Sequence, residues 1–276
     1  MRGQAYLLAM PIAPLNSRAV IKVAGPDARA FLNNLLTQSV ETMEAGQLRL
    51  AALLTPQGRL IVDMMVWGTN EGLLLDVPVA ARDALVQRLS MYKLRSNVEI
   101  AASDEGVFVC WDELPQGFVT DPRLEELGGR AIGYSGPVTA SEDDWHAHRM
   151  ALGVVEAALD APQNKTYAID ANFDLMNGID FHKGCFVGQE TTSRMKRRGT
   201  IKNRILPFSF EGDAPAVGAE VLNGELRAGE VTSVLGQNGM ALMRLDRMEG
   251  ELTVEGRPVR VTRPDWVPVW VSALAE

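Results

Sequence analysis

Residues 182–199 read His182-Lys183-Gly184-Cys185-Phe186-Val187-Gly188-Gln189-Glu190-Thr191-Thr192-Ser193-Arg194-Met195-Lys196-Arg197-Arg198-Gly199. The stretch holds one of only two cysteines in the 276-residue chain. Gly184 and Gly188 flank Cys185, and glycine lets a backbone turn tightly enough to present a side chain to solvent. Lys183 and the cluster from Arg194 to Arg198 place positive charge around the sulfur. Positive charge favours the thiolate, the form that acts as nucleophile and metal ligand. The other cysteine, Cys110, sits in the apolar run Val107-Phe108-Val109-Cys110-Trp111 and reads as a buried filler. Cys185 is the thiol placed for chemistry.

Composition bounds what surrounds that thiol. The chain carries 27 Lys and Arg against 35 Asp and Glu, a formal charge of −8. Between Lys183 and Arg204 there are seven Lys/Arg and the single Glu190. One basic stretch in an acidic protein suggests a local anion site rather than a nucleic-acid surface. The stretch also lacks the interleaved aromatics on which bases stack. Two cysteines make no secreted disulfide framework, so free thiols in a reducing cytoplasm are expected. The mildly apolar start, Ala5–Pro14, contains two prolines and does not read as a signal peptide. No apolar run approaches the ~18–20 residues of a membrane helix.

Periodicity places the motif in a fold. Strands are expected over 18–23, 48–54, 59–67, 72–77, 98–101 and 106–111. Thr55-Pro56-Gln57-Gly58 has the residues a tight turn between two of them requires. Gly25-Pro26 opens a helix with Phe31, Leu32, Leu35 and Leu36 on one face. Residues 78–90 form a second helix with Leu85, Val86 and Leu89 inward, and Ser141-Glu142-Asp143-Asp144 caps a third. Residues 114–137, rich in Gly and Pro, read as connections, and a short helix is expected over 188–196. From 205 onward, short strands between glycine turns read as a separate small barrel. The pattern predicts an α+β protein with antiparallel sheets and a C-terminal β-barrel.

Lys183-Gly184-Cys185-Phe186-Val187-Gly188-Gln189-Glu190 resembles the K-G-C-[YF]-x-G-Q-E motif of the YgfZ family, folate-binding-like proteins of iron–sulfur cluster assembly and repair. Segments elsewhere, in the family's order, extend the likeness over nearly the whole chain. They are Arg18-Ala19-Val20-Ile21, Leu54-Thr55-Pro56-Gln57-Gly58-Arg59-Leu60, Tyr92-Lys93-Leu94-Arg95-Ser96, Asp121-Pro122-Arg123 and Arg149-Met150-Ala151-Leu152-Gly153-Val154. The resemblance implies the three-domain arrangement of the glycine-cleavage aminomethyltransferases. The expected units are 1–47 with 115–204 (folate-binding-like, carrying the cysteine motif), 48–114 (α+β) and 205–276 (barrel).

It also implies a function and a ligand. The function is help in assembling or repairing clusters in client enzymes or carrier proteins, more a factor than a conventional enzyme. Cys185 would carry the thiol chemistry, whether by ligating iron transiently, accepting sulfur or protecting a cluster, and Lys183, Gly184, Phe186, Gly188, Gln189 and Glu190 would shape its loop. One cysteine cannot hold a stable cluster, which takes about four thiolates. Tetrahydrofolate would need a carboxylate for its pterin edge and cations for its glutamate tail. Asp83, placed after a strand end as the aminomethyltransferases place a catalytic acid, and Asp170 are the carboxylate candidates. Asp170 departs from the family's usual Glu by one methylene. Arg194, Arg197, Arg198 and Arg204 are candidates for the tail, with a solvated basic face as the plainer alternative. The rival reading is a folate-dependent aminomethyl or one-carbon transferase.

Overall fold

The computed structural model describes residues 10–162, 165–199 and 201–269; most of the apolar start, Ala5–Ala9, lies outside them. In chain order the elements are strands β1 (Ile12–Pro14) and β2 (Arg18–Ala24), helix α1 (Ala28–Asn33), strands β3 (Leu48–Leu54), β4 (Leu60–Gly68) and β5 (Gly72–Pro78), and helix α2 (Arg82–Tyr92). Strands β6 (Glu99–Ser103), β7 (Val107–Cys110), β8 (Val119–Thr120) and β9 (Gly129–Ile132) follow, then helices α3 (Glu142–Ala151), α4 (Ala157–Asp160) and α5 (Gln189–Arg198). The chain closes with β10 (Asn203–Phe210), β11 (Glu220–Asn223), β12 (Leu226–Leu235), β13 (Asn238–Arg244), β14 (Leu252–Val254) and β15 (Arg257–Val261).

Three antiparallel sheets result: a five-stranded one in the order β3-β4-β5-β2-β6, a four-stranded one in the order β1-β7-β9-β8, and a closed six-stranded barrel. The alternation of β3 shows how the first is covered on both faces. Leu48, Leu50, Ala52 and Leu54 join one core, and Ala51 and Leu53 join the other. Side chains alternate along a strand, so the cores lie on opposite faces of the sheet. Helices α1 and α2 cover one face through Phe31, Leu32, Leu85 and Leu89. The other face packs on the four-stranded sheet, Trp145 of α3 and the turns around Ala168–Met176.

Sheet membership cuts across the expected unit boundaries. β2 joins β3–β5, so 18–24 belongs with the middle segment, and β7 joins β1 and β9, so 107–110 belongs with the discontinuous one. The 114–137 stretch contains β8 and β9, which its Gly and Pro content concealed. Helix α1 stops at Asn33, because Leu36 leaves the helix to bridge Leu53. The capping box on α3 is present, Ser141 accepting from the Asp144 backbone and returning the contact. The barrel is tied down by Ser233 Oγ donating to Asp160 at 2.5 Å and by Ile205 N donating to the Asp170 carbonyl at 2.8 Å.

Candidate functional site

The cysteine loop is held at three points, and the sequence explains each. Asp180 Oδ1 accepts the backbone N–H groups of His182 and Lys183 at 2.8 and 3.1 Å, turning the chain as aspartate turns do. Lys183 then reaches back to the end of α1, where Nζ donates to the carbonyls of Asn33 (2.6 Å), Leu36 (2.8 Å) and Gln38 (3.0 Å). Asn33 is the last residue of α1, whose carbonyl a helix end leaves without an intrahelical partner, and Leu36 and Gln38 belong to the turn beyond it. Burial pulls the lysine's pKa down to about 8, against the opposing pull of Asp180 and Glu41. Phe186 is buried beneath, its ring centre 5.5 Å from the ammonium.

The third point is Gly188, at φ +82°, which starts α5. A Cβ there would lie 2.7 Å from the Thr55 carbonyl oxygen and 3.0 Å from Gly58 Cα. The turn between β3 and β4 therefore packs backbone to backbone on the cysteine motif, which only glycine permits. Gly184 differs: its φ is not left-handed and an added Cβ would meet no atom within 4 Å. Its side of the loop is open. Between Lys183 and Phe186 the chain turns outward, and Cys185 is exposed with a free thiol. Cys110 is buried, and burial pushes its thiol up to about 11.

The remaining cations separate into committed and open groups. Arg204 is buried and donates to the Ile169 carbonyl (2.7 Å) and to both carboxylate oxygens of Asp174 (2.5 and 3.0 Å). It is therefore not available to hold a folate tail. Lys196 also pairs with Asp174, at 3.0 Å. Arg194 and Arg197 are exposed on α5, and the Arg198 side chain lies outside the described residues. A groove of about 480 Å³ runs along this helix between Phe181, Gln189, Glu190, Ser193, Lys196 and Arg197. Among the described residues, no three His, Cys, Asp or Glu side chains come together as a metal site.

The two carboxylate candidates part company. Asp83 is on α2, its side chain 84% exposed and paired with Arg82 at 2.8 Å. It lies beyond the opposite face of the five-stranded sheet from Asp170, and the two do not share a site. Asp170 is only 5% exposed, and burial outweighs Arg204 to push its carboxyl up to about 6. The folded chain thus binds this proton more tightly than the unfolded chain, whose aspartate titrates near 3.8. The stabilisation is full below that value and is lost as pH rises through about 6. Asp170→Asn is accordingly expected to gain about 1–3 kcal/mol at pH 8 and nothing at pH 3.5, read from urea midpoints. An equal gain at both values would contradict this.

Charge pattern did not reveal the largest polar feature, a buried lattice between the two open sheets. Arg18 donates to Asp76 (2.6 Å), Glu156 (2.7 Å) and Asp63 (3.2 Å). Arg130 bridges Asp76 (2.6 Å) to Asp121 (3.1 Å), and Arg123 bridges Asp121 (2.8 Å) to Glu156 (3.1 Å). Burial pushes Glu156 up, but Arg18, Arg123 and Arg130 together hold it well below the usual carboxylate range. Burial raises Asp63 beyond what Arg18 offsets. The available signal was a lone acid in an otherwise apolar strand, as in Leu60-Ile61-Val62-Asp63-Met64-Met65-Val66. Such an acid must be paired.

Comparison with known proteins places this geometry. Residues 12–109 match the GCVT N-terminal domain, and residues 202–269 match the C-terminal beta-barrel domain of CAF17. The mitochondrial iron-sulfur cluster assembly factor IBA57 of Mus musculus is 30% identical over 92% of this chain and 84% of its own. The chain belongs to the IBA57/YgfZ/CAF17 family. The Homo sapiens member is 29% identical over the same shares of the two chains. The fold of this IBA57/YgfZ/CAF17 chain is that of the glycine cleavage system aminomethyltransferase T from Bartonella henselae. The two structures agree with a TM-score of 0.74 at 16% identity, over 93% of this chain and 86% of the other.

Proposed function

We propose that this protein assists assembly or repair of iron–sulfur clusters in other proteins, with Cys185 as a transient iron ligand. The observation that carries the reading is the free, exposed Cys185 on a loop clamped by Lys183, Phe186 and Gly188. The names of the mouse and human relatives support the same reading. The thiol loses its proton to solvent as sulfur binds iron. One thiolate leaves the other iron positions to a partner, so the cluster is cargo shared between two proteins. Both thiols stay reduced in this reading, which suits the cytoplasm.

Tetrahydrofolate is the finer part of the proposal. Asp170 would meet the pterin edge, sharing its proton, and Arg194 and Arg197 would meet the glutamate tail; Asp83 and Arg204 take no part. Calorimetry with tetrahydrofolate should then show binding that Asp170→Asn weakens by about tenfold or more, a loss near 1.4 kcal/mol.

The function itself is tested by complementation of a bacterial strain lacking its own homologue, reading out a radical-type [4Fe–4S] enzyme. Wild type and Cys110→Ala should restore activity, and Cys185→Ala should not. Rescue by Cys185→Ala would remove the thiol from the mechanism. Glycine-cleavage activity that needs tetrahydrofolate and not Cys185 would favour the aminomethyltransferase reading.

A further inference from the structure

The end of α2 and the loop after it carry an exposed apolar tip that neither the cysteine motif nor a folate site uses. Leu94 is 87% exposed, Met91 61% and Tyr92 41%. Leaving a leucine in water forgoes the stabilisation that burial of its side chain would supply. Leu94 is also a non-glycine residue at φ +41°, a conformation uncommon outside constrained or functional positions.

The loop is nonetheless pinned. Ser96 N donates to the Lys93 carbonyl (2.7 Å), Lys93 Nζ to the Val98 carbonyl (3.2 Å) and Asn97 N to Asp27 Oδ2 (2.7 Å). A Cβ on Gly25 would lie 2.5 Å from the Asn97 carbonyl oxygen, so the backbones abut there. The tip is a fixed projection, and its partner has little loop ordering to overcome.

Its rim is basic. From Arg82 to Arg95 there are four Lys/Arg and the single Asp83, in a chain of net charge −8. Arg95 is exposed and Arg88 half-buried, its guanidinium 3.5 Å from the Tyr92 hydroxyl. Met, Tyr and Arg are the residue types enriched at protein interfaces.

The tip and the cysteine loop brace opposite ends of one helix. Asp27, which starts α1, holds Asn97, and the carbonyls ending α1 are held by Lys183. Six residues of helix span about 9 Å. The two anchoring contacts, at Asp27 and Asn33, are therefore one short helix apart.

We infer that the Met91-Tyr92-Leu94 tip, with its Arg88 and Arg95 rim, docks an acidic protein that presents carboxylates around an apolar pocket. Docking there brings that protein to Cys185. The step to Cys185 rests on the reading of the thiol as a shared iron ligand; the docking surface does not. A symmetric second copy is disfavoured because it would set like charges of the two rims against each other.

The test places a benzoylphenylalanine photocrosslinker at position 94, or at exposed Val217 of the barrel, in the full chain inside cells. Adducts at 94 should exceed those at 217 about fivefold or more and consist of an acidic protein; Arg88→Glu with Arg95→Glu should cut them by a similar factor. That protein, purified, should bind wild type and Val217→Asp alike and Leu94→Asp about tenfold or more weakly. Its affinity should fall with added salt. The inference is overturned if position 94 yields no more than 217, or only a second copy, lipid or nucleic acid. Equal binding of Leu94→Asp, with an unchanged melting curve, also overturns it. An acidic partner that carries no iron would keep the docking surface and sink the reading of Cys185.

Discussion

Arg18→Met is expected to destabilise the fold by about 3–5 kcal/mol, the loss typical of removing one partner from a buried ionic cluster. The side chain donates to Asp63, Asp76 and Glu156, and also to the Asp76 backbone carbonyl at 2.7 Å. Methionine fills similar volume but leaves Asp63 without an ion-pair partner among the described residues and Glu156 leaning on Arg123. The cost is therefore one of uncompensated charge. Glu156 titrates below its unfolded value, so its stabilising contribution is present at neutral pH and disappears as pH falls through the folded pKa. The deficit of Arg18→Met should accordingly be largest near pH 7 and shrink toward acid pH, measured from denaturant midpoints. A deficit constant with pH would point to lost packing instead. Arg18→Lys should recover little, because one ammonium cannot reproduce a fork that reaches three carboxylates and a carbonyl.

Gly188→Val is the second large effect. A β-branched residue at φ +82° bears the left-handed penalty of roughly 1–2 kcal/mol. Its Cβ would also press on the Thr55 carbonyl, Gly58 Cα and Leu54 Cβ, and overpacking of this kind costs about 1–3 kcal/mol more. The turn between β3 and β4 and the cysteine loop must then separate. We expect a total loss of about 2–5 kcal/mol and loss of cluster-enzyme rescue although Cys185 is present. Gly184→Val, with no atom within 4 Å of the added Cβ, should change stability by less than about 0.5 kcal/mol. Equal melting of the two variants would show that the contact at Gly188 does not hold the loop.

Much of this arrangement was legible in the residue order. Alternation located β3 to its exact ends (Leu48–Leu54) and turn chemistry located the Thr55–Gly58 connection, because both are local properties. Ser141 announced α3 for the same reason. Helix α1 was read too long, since the pull of Leu36 toward Leu53 is a tertiary contact with no local trace. Gly and Pro content conceals β9, and the acceptors of its Arg130, Asp76 and Asp121, come from distant segments. The basic stretch was the least readable part. Sequence displays the cations but not their acceptors, so Arg204 reads as open as Arg194, although the Asp174 carboxylate lies beside it.

The reach of Lys183 has a consequence for biosynthesis. Its ammonium closes contacts across 150, 147 and 145 positions of chain. Contacts of such high order form late, after the entropy of closing the intervening chain has been overcome. As the polypeptide leaves the ribosome, α1 emerges long before the lysine that will cap it, and Cys185 follows within two residues of that lysine. The thiol thus takes up its setting only when the amino-terminal two-thirds of the protein has condensed around it. A nascent or misfolded chain displays the same octapeptide without the presentation, so exposure of the thiol on its clamped loop becomes a report that this part of the chain has folded.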